Sequence, residues 1–554
     1  MCALVAGIAL LLAALARPAG SSTPTRDSRE SVRGGTLRLD HPADFATVDP
    51  TLGYDAWSWQ LLAALCAPLY RYPDLDGRAG TKPMAGTATG FPSVSRGGKR
   101  VVITVRRNYA RFSNGAAVTA ANYANAIQRA LDPKMQSPGA QYLGEIVGAK
   151  AVLDGKAERA RGVQVRGNRL ILTLTQPLPD LVARLTMPFF CPQPGASGLP
   201  RDPRGIGAPF NGGGPYVLRE WTSRRFALVD RNPHWRGPIA KTRPANVDRI
   251  EYTFGVPPAT TKLRLDRDQA DVGLVGIPAP AYGEVAERYG INRGRFFVRK
   301  AMTTWFFGFN HDRPLFGPRG SGAGNVALKR AINFAIDRPA LARQFGYLAG
   351  ARTDQILPID MPGFRNWDIY PIRGRDLDRA RRLAEGNTRG GKAVLYALNV
   401  GAFPAIAETF KQHVQAIGLD VEIRTFFPPV AADKLGTRGE PFDIALIGWA
   451  TDYADPNAFI RPLLWSGGIR EKNSLNIPYF SSARFDRLVE RASQLTGDKR
   501  YAAFASLDRV TMREFAPMAP FVNQNARVYV SESLGCFTYS VTNLGINLTA
   551  VCKK

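Results

Sequence analysis

The later half of the chain carries the clearest hydrophobic pattern. Residues 393–398 form an apolar run of strand length, and Ile406, Phe410, Val414 and Ile417 then recur on one helical face. Gly418 follows, a residue suited to closing a helix in the left-handed conformation. Leu419, Val421 and Ile423 alternate with Asp420, Glu422 and Arg424, the period of a half-buried strand. Residues 442–449 are nearly all apolar, which predicts a central strand covered on both faces. Just upstream, Leu328, Ile332, Ala335 and Ile336 mark one helix, and residues 341–347, after Asp337-Arg338-Pro339, mark a second.

Shorter elements fill the first half. Strands are expected at 34–39, 101–105, 169–175 (ending before Pro177) and 226–229 (ending at Asn232-Pro233), with a turn at Asn114-Gly115. Thr119 reads as a helix N-cap, with Val118 and Tyr123 placed as a hydrophobic staple and Tyr123, Ile127 and Leu131 as the buried stripe. The organisation is mixed α/β, without an internal repeat.

At 554 residues, two or three domains are expected. Hydrophobic residues make up 45% of the chain, as in a folded protein. The formal charge is +27, from 73 basic and 46 acidic residues, but no basic run reaches five, so the charge reads as a solvated Arg-rich surface without a clustered nucleic-acid footprint.

The N-terminus places the chain outside the cytoplasm. Residues 3–15 are continuously small or apolar, the size of a signal-peptide core, and Ala14-Leu15-Ala16 offers a small-x-small cleavage site. Residues 1–16 are therefore assigned to a signal peptide and 17–33 to a disordered linker. No Lys or Arg precedes the apolar run, which points to a start upstream of Met1, and no lipidation box follows it. Cys66, Cys191, Cys536 and Cys552 remain, an even number in an oxidising compartment. Three pairings are open. The closeness of Cys536 and Cys552 favours joining them and leaves Cys66 for Cys191, with free buried thiols as the other reading.

Catalytic signatures are few. HExxH, GxSxG and the GxxxxGK[ST] phosphate loop do not occur, and no CxxC is present. The run at 320–324 lacks the preceding strand and the spacing of a dinucleotide fingerprint and reads as a loop. His41, His234, His311 and His413 show no metal-ligand spacing; His413 sits beside the apolar helical stripe in a structural setting. No cofactor or metal is expected.

A series of segments has a stronger message. Gly34-Gly35-Thr36-Leu37-Arg38, Thr47-Val48-Asp49-Pro50 and Leu69-Tyr70-Arg71-Tyr72 come first, then Arg111-Phe112-Ser113-Asn114-Gly115 running on to Ala120. Gly214-Pro215-Tyr216-Val217-Leu218, Arg231-Asn232-Pro233, Phe309-Asn310 and the stretch Lys329-Arg330-Ala331-Ile332-Asn333-Phe334-Ala335-Ile336-Asp337-Arg338 follow. Last is Gly448-Trp449-Ala450-Thr451-Asp452-Tyr453-Ala454-Asp455-Pro456. In this order, over nearly the whole chain after residue 33, the set resembles the dipeptide, oligopeptide and nickel class of bacterial extracellular solute-binding proteins, the capture subunits of ABC transporters. Two departures are Ala121-Asn122, where the family usually has an acidic residue after the capping Thr, and the missing lipid-anchor cysteine.

The resemblance implies a periplasmic-binding-protein-like α/β fold: two ligand-clamping lobes plus an extra third domain. Lobe I would combine 34–75, 200–296 and 505–554; domain II would be 76–199; lobe III would be 297–504. Two crossings between lobes would form a hinge. The function implied is capture of a short peptide or similar small solute in the cell envelope (periplasm or outer face of the cytoplasmic membrane) and delivery to permease subunits, by a monomer that binds no nucleic acid. In peptide-binding relatives an aspartate in the last of these turns pairs with the ligand's α-ammonium, and the matching residue is Asp452; a turn former bonding its own backbone is its other role. Trp449, Tyr453, Asp455, Trp57, Trp59, Trp305 and Asn310 complete the ligand-binding candidates, with turn chemistry for Asp455 and core packing for the tryptophans as the competing roles. A metal chelate, an opine or a sugar are alternative ligands; an exported hydrolase and a polyanion-binding surface protein are alternatives from other classes.

Overall fold

The computed structural model describes residues 33–554 except 76, 196, 203–205, 319–323, 541, 543 and 544. The signal-peptide assignment, all of the linker but Arg33, and most of the 320–324 loop lie outside the described residues. Among those described, no helix is long and apolar enough to cross a membrane.

Three sheets organise the chain. The first runs Val272–Gly273, Thr36–His41, Arg249–Phe254, Phe226–Arg231 and Tyr216–Thr222, parallel at the Thr36–His41 end and antiparallel at the other. The second, a four-stranded antiparallel sheet, runs Ser93–Ser95, Arg100–Thr104, Arg169–Thr173 and Val163–Arg166. The helix Ala120–Leu131 shares a core with it: Val101, Ile103, Leu170 and Leu172 are buried together with Tyr123, Ile127 and Leu131. This helix starts where its sequence suggests, at Thr119, and Asn122 supplies the box acceptor, its Oδ1 taking a hydrogen bond from the Thr119 backbone N–H at 2.8 Å. An amide thus stands in for the family's acidic residue. The first sheet and the four-stranded sheet share one continuous core, from Leu37 and Ile250 to Leu172 and Phe189.

The third sheet has six strands, in the order Gly350–Arg352, Met518–Tyr529, Phe296–Phe309, Ile444–Ala450, Lys392–Leu398 and Asp420–Phe426. The expected βαβ unit is present: Lys392–Leu398 pairs in parallel with Asp420–Phe426 and Ile444–Ala450, and Ile406, Phe410 and Val414 of the intervening helix Phe403–Gln415 are fully buried. Gly418 has φ +79°, the left-handed value its position requires. The second helix of the upstream pair is Arg338–Arg343, shorter than its apolar run suggests. His413 accepts a hydrogen bond from the Asp337 N–H through Nδ1 at 3.3 Å.

Two long strands connect the lobes. Phe296–Phe309 lies antiparallel to Met518–Tyr529 from Phe296↔Tyr529 to Gly308↔Met518, with a register shift between Lys300 and Thr304. Phe297 belongs to the first core, while Met302, Phe306, Phe307 and Phe309 belong to a second core of the six-stranded sheet. Phe504, Leu507, Met512, Phe515 and Phe521 are buried in that second core as well. The stretch 505–522, which the resemblance assigned to lobe I, therefore packs in lobe III; the chain returns to lobe I only along Met518–Tyr529, because that strand must first fill its place in the six-stranded sheet. Cys66–Cys191 and Cys536–Cys552 form disulfides, the first tying lobe I to domain II.

Candidate functional site

Strand polarity aims one turn at the lobe junction. Ile444–Ala450 runs antiparallel to Phe296–Phe309, with Ala450 opposite Thr303, so its carboxyl end points back toward the crossing strands and lobe I. The turn at 451–457 leaves from that end. Its backbone is held by the Thr451 N–H donating to Met302 O at 2.9 Å and by the Ala454 N–H donating to Tyr72 Oη of lobe I at 2.9 Å.

Asp452 projects from this turn and is 7% exposed. Its Oδ2 accepts from Tyr142 Oη at 2.5 Å and Tyr54 Oη at 3.1 Å, and the two phenols lie 3.0 Å apart. Tyr54 comes from lobe I and Tyr142 from domain II, so one carboxyl gathers all three parts of the protein. No Lys or Arg lies within ion-pair distance of it among the described residues. Burial pushes its pKa up to about 7, against the smaller opposing effect of the two tyrosine hydrogen bonds.

The rest of the turn has the opposite electrostatics. Asp455 receives both Arg500 Nε (2.9 Å) and Nη2 (2.8 Å) and caps the Asn457 N–H at 2.9 Å. Tyr453 Oη and Asn457 Nδ2 each donate to Asp180 Oδ2 of domain II at 2.9 Å. Arg184 Nε at 3.1 Å and Arg500 Nη2 at 3.6 Å bring two cations to the same carboxylate. Burial alone would raise the Asp180 pKa, but the Arg184 and Arg500 charges and the two neutral donors outweigh it and hold it at about 2. This set forms a latch between domain II and lobe III.

A narrow cleft opens beside Asp452, lined by Trp59, Arg71, Tyr72, Asp74, Arg243 and the Cys66–Cys191 disulfide among others. The Arg243 guanidinium donates to the Cys66 and Ala63 carbonyls at the end of the helix Ala56–Leu65; burial, with Arg71 nearby, lowers its pKa to about 10.

The other candidates divide. Trp59 lines the cleft and is fixed by donating Nε1–H to Gly53 O at 2.7 Å. Trp57 instead meets His41 edge-on, ring centroids 4.6 Å apart. Trp449 donates Nε1–H to Ala458 O at 2.9 Å, bracing the turn from within. Trp305 packs on Phe345 and Phe403 and donates to Gln524 Oε1 at 2.7 Å; it covers Gly448 so closely that a Cβ there would come within 2.6 Å of the ring. Asn310 follows Phe309, which pairs with Ile444 at the end of the sheet away from the junction, roughly 20 Å from Asp452's end. There it donates to Phe442 O and accepts from the Asp312 N–H, so it is a turn residue outside the site. Asp455 serves the ion pair with Arg500. Sequence reasoning missed Tyr54, Tyr142, Asp180 and Arg500; only the helical four-residue spacing of Asp180 and Arg184 was there to signal the latch.

Comparison with known proteins places this geometry. Residues 82–470 match the family of bacterial extracellular solute-binding proteins, family 5, middle region. The chain is 23% identical over 505 residues to a probable deoxycholate-binding periplasmic protein of Escherichia coli K12, covering 88% of each chain. It is 23% identical over 480 residues to the periplasmic oligopeptide-binding protein of the same organism, covering 82% of this chain and 81% of that one. Among solved structures, a clavulanic acid biosynthesis oligopeptide-binding protein superposes with a TM-score of 0.82 at 23% identity over 96% of both chains. The Escherichia coli murein tripeptide-binding protein does so with 0.75 at 20% identity, over 95% of this chain and 99% of that one. The chain belongs to the bacterial extracellular solute-binding proteins of family 5.

Proposed function

We propose that this protein captures a short peptide, or a similar small solute with a cationic group, and delivers it to an ABC permease without chemistry of its own. One observation carries the reading: Asp452 is a buried carboxyl at the junction of all three domains whose described partners are two neutral phenols. A ligand ammonium supplies the charge that would complete the site, and a desolvated carboxylate gives it a strong charge-assisted bond. The names of the oligopeptide- and tripeptide-binding relatives suggest the ligand class. Arg71 and Arg243 line the same cleft, a setting for a ligand carboxylate, so a zwitterion suits both ends. The same two arginines favour the second reading, an acidic amphiphile such as the relative's deoxycholate, which would use them and leave Asp452 protonated. The protein works as a monomer and does not bind nucleic acid.

Native mass spectrometry of the purified protein should reveal a co-purified small ligand. Calorimetry with tri-alanine and its N-acetyl derivative then separates the readings. Acetylation removes the ammonium and should weaken binding by about two to three orders of magnitude. Equal binding of the two forms would overturn the ammonium role, and return of a cleaved peptide would overturn the absence of catalysis.

A further inference from the structure

One stretch of domain II, residues 180–191, makes three contacts that leave the domain. It begins with Asp180, which meets Tyr453 and Arg500 of lobe III in the latch. It ends at Cys191, whose disulfide reaches Cys66 at the carboxyl end of the lobe I helix Ala56–Leu65. Just beyond, the Gln193 N–H donates to Asn122 O at 3.2 Å and its Nε2 to Thr51 Oγ1 at 3.3 Å, so the stretch is anchored on both sides. The third contact is made by Phe189, fully buried between these anchors.

The Phe189 ring is shared by the two phenols of the site. Its centroid lies 5.5 Å from those of Tyr54 and Trp59 in lobe I, and 6.2 Å from that of Tyr142 in domain II, inclined to the last by only 25°. Tyr54 and Trp59 also meet, at 5.8 Å, and the bond from Trp59 to Gly53 O fixes that side. On the side of Tyr142 the ring packs on bare backbone: a Cβ at Gly139, three residues earlier, would come within 2.8 Å of Phe189 Cγ. A phenol hydroxyl turns about its own C–O bond, but the ring that carries it moves only with its packing. Both hydroxyls reach Asp452 Oδ2, so a shift of about an ångström in either ring would take its hydroxyl out of hydrogen-bond range.

We infer that Phe189 is a positioning residue: tied to lobe I through the neighbouring Cys66–Cys191 disulfide, it holds Tyr54 and Tyr142 so that both hydroxyls meet one oxygen of Asp452. The phenol pair is set by contacts within lobe I and domain II, and lobe III supplies the carboxyl. The other titratable groups near Asp452 are Tyr453, edge-on to Tyr142 at 6.0 Å, and Arg71, Asp74 and Arg243, which line the same cleft. The inference rests on the proposed function only for its effect on binding, since the phenol–carboxyl contacts lie within the protein itself.

Carbon-13 NMR of carboxyl-labelled aspartate, with the Asp452 signal assigned through Asp452→Asn, tests it in the ligand-free protein. Burial raises this carboxyl and the two phenols lower it, so loosening the phenols should raise it further. Phe189→Leu should move the titration midpoint up by at least about 0.5. Gly139→Ala crowds the ring without opening a cavity and should act in the same direction, which keeps the test open if the leucine variant fails to fold. In a Tyr54→Phe, Tyr142→Phe background, Phe189→Leu should move the midpoint by less than about 0.2. A downward or absent shift, or one that persists equally without the phenols, would mean that Phe189 only fills the core and would overturn the inference. Tri-alanine affinity at pH 7 should fall about two- to tenfold in Phe189→Leu. A shifted midpoint with unchanged affinity would uphold the role of Phe189 and count instead against Asp452 as the ligand's counter-charge.

Discussion

Two halves of one turn behave as opposites. At Asp452 the carboxyl meets two neutral phenols among the described residues, and burial lifts it to about 7. Three residues on, Asp455 is clasped by both donor edges of Arg500, and Asp180 across the junction draws on Arg184 and Arg500 and stays at about 2. Burial is the same for all three carboxyls; the supply of cations differs. Where the protein provides its own guanidiniums, the contact is permanent and structural. Where it withholds them, a buried carboxyl carries the cost of its charge, and the proposed ligand ammonium is what would compensate it.

The sharpest way to break the structural half is Arg500→Ala. It strands Asp455 and removes one of Asp180's cations, and should lower unfolding stability by ~3–5 kcal/mol in urea denaturation. A loss within 1 kcal/mol would mean the pair is idle. Asp180→Asn is gentler: Arg184 keeps Glu145 and Arg500 keeps Asp455, so the expected loss is ~1–3 kcal/mol. It should also loosen the ligand-free junction, seen by small-angle scattering as a larger radius of gyration without ligand. No expansion would show that the latch does not hold the lobes.

The two halves also differ in the sign of their pH response. Asp180's folded pKa is below its ordinary 3.8, so its stabilisation is present above pH 4 and is lost as pH falls toward 2. Asp452's is raised, so without ligand it takes stability away as pH climbs from about 4 to 7. Removing the phenol nearest Asp452, by Tyr142→Phe, is the smallest change: binding of a cationic ligand at pH 7 should weaken by about tenfold, with the binding midpoint moving to higher pH. An unchanged midpoint would mean that Tyr142 does not tune the carboxyl.

Much of the architecture was legible because it is local. The alternation at 419–424, the stripe from Ile406 to Ile417 and the box at Thr119 each express their own secondary structure, and all form close to their expected bounds. The Asp452 turn was legible because it follows a nearly all-apolar strand. What closes around it was not: Tyr142 stands 310 residues from Asp452, and Asp180 stands 273 and 277 from the Tyr453 and Asn457 it meets, and periodicity holds no record of contacts made only when lobes meet. Asn310 was misplaced for a related reason, since its sequence marks a strand end without saying which end faces the junction. In the 505–522 stretch, the helical residues up to Phe515 pack in the second core before the strand Met518–Tyr529 begins its run through both lobes, a boundary that periodicity does not mark.

The most direct test is the affinity of wild type and Asp452→Asn for tri-alanine between pH 8 and pH 5.5. The variant keeps shape and both tyrosine donors and carries no buried charge, so its ligand-free melting temperature at pH 7.5 should be at or above that of wild type. Wild-type affinity should fall about 25-fold between pH 7.5 and 5.5 as a carboxyl near 7 protonates, while Asp452→Asn should be weaker by about two to three orders of magnitude at pH 7.5 and flat with pH. A flat wild-type profile, or a variant within threefold of wild type at pH 7.5, would contradict the assignment of Asp452 as the ligand's counter-charge.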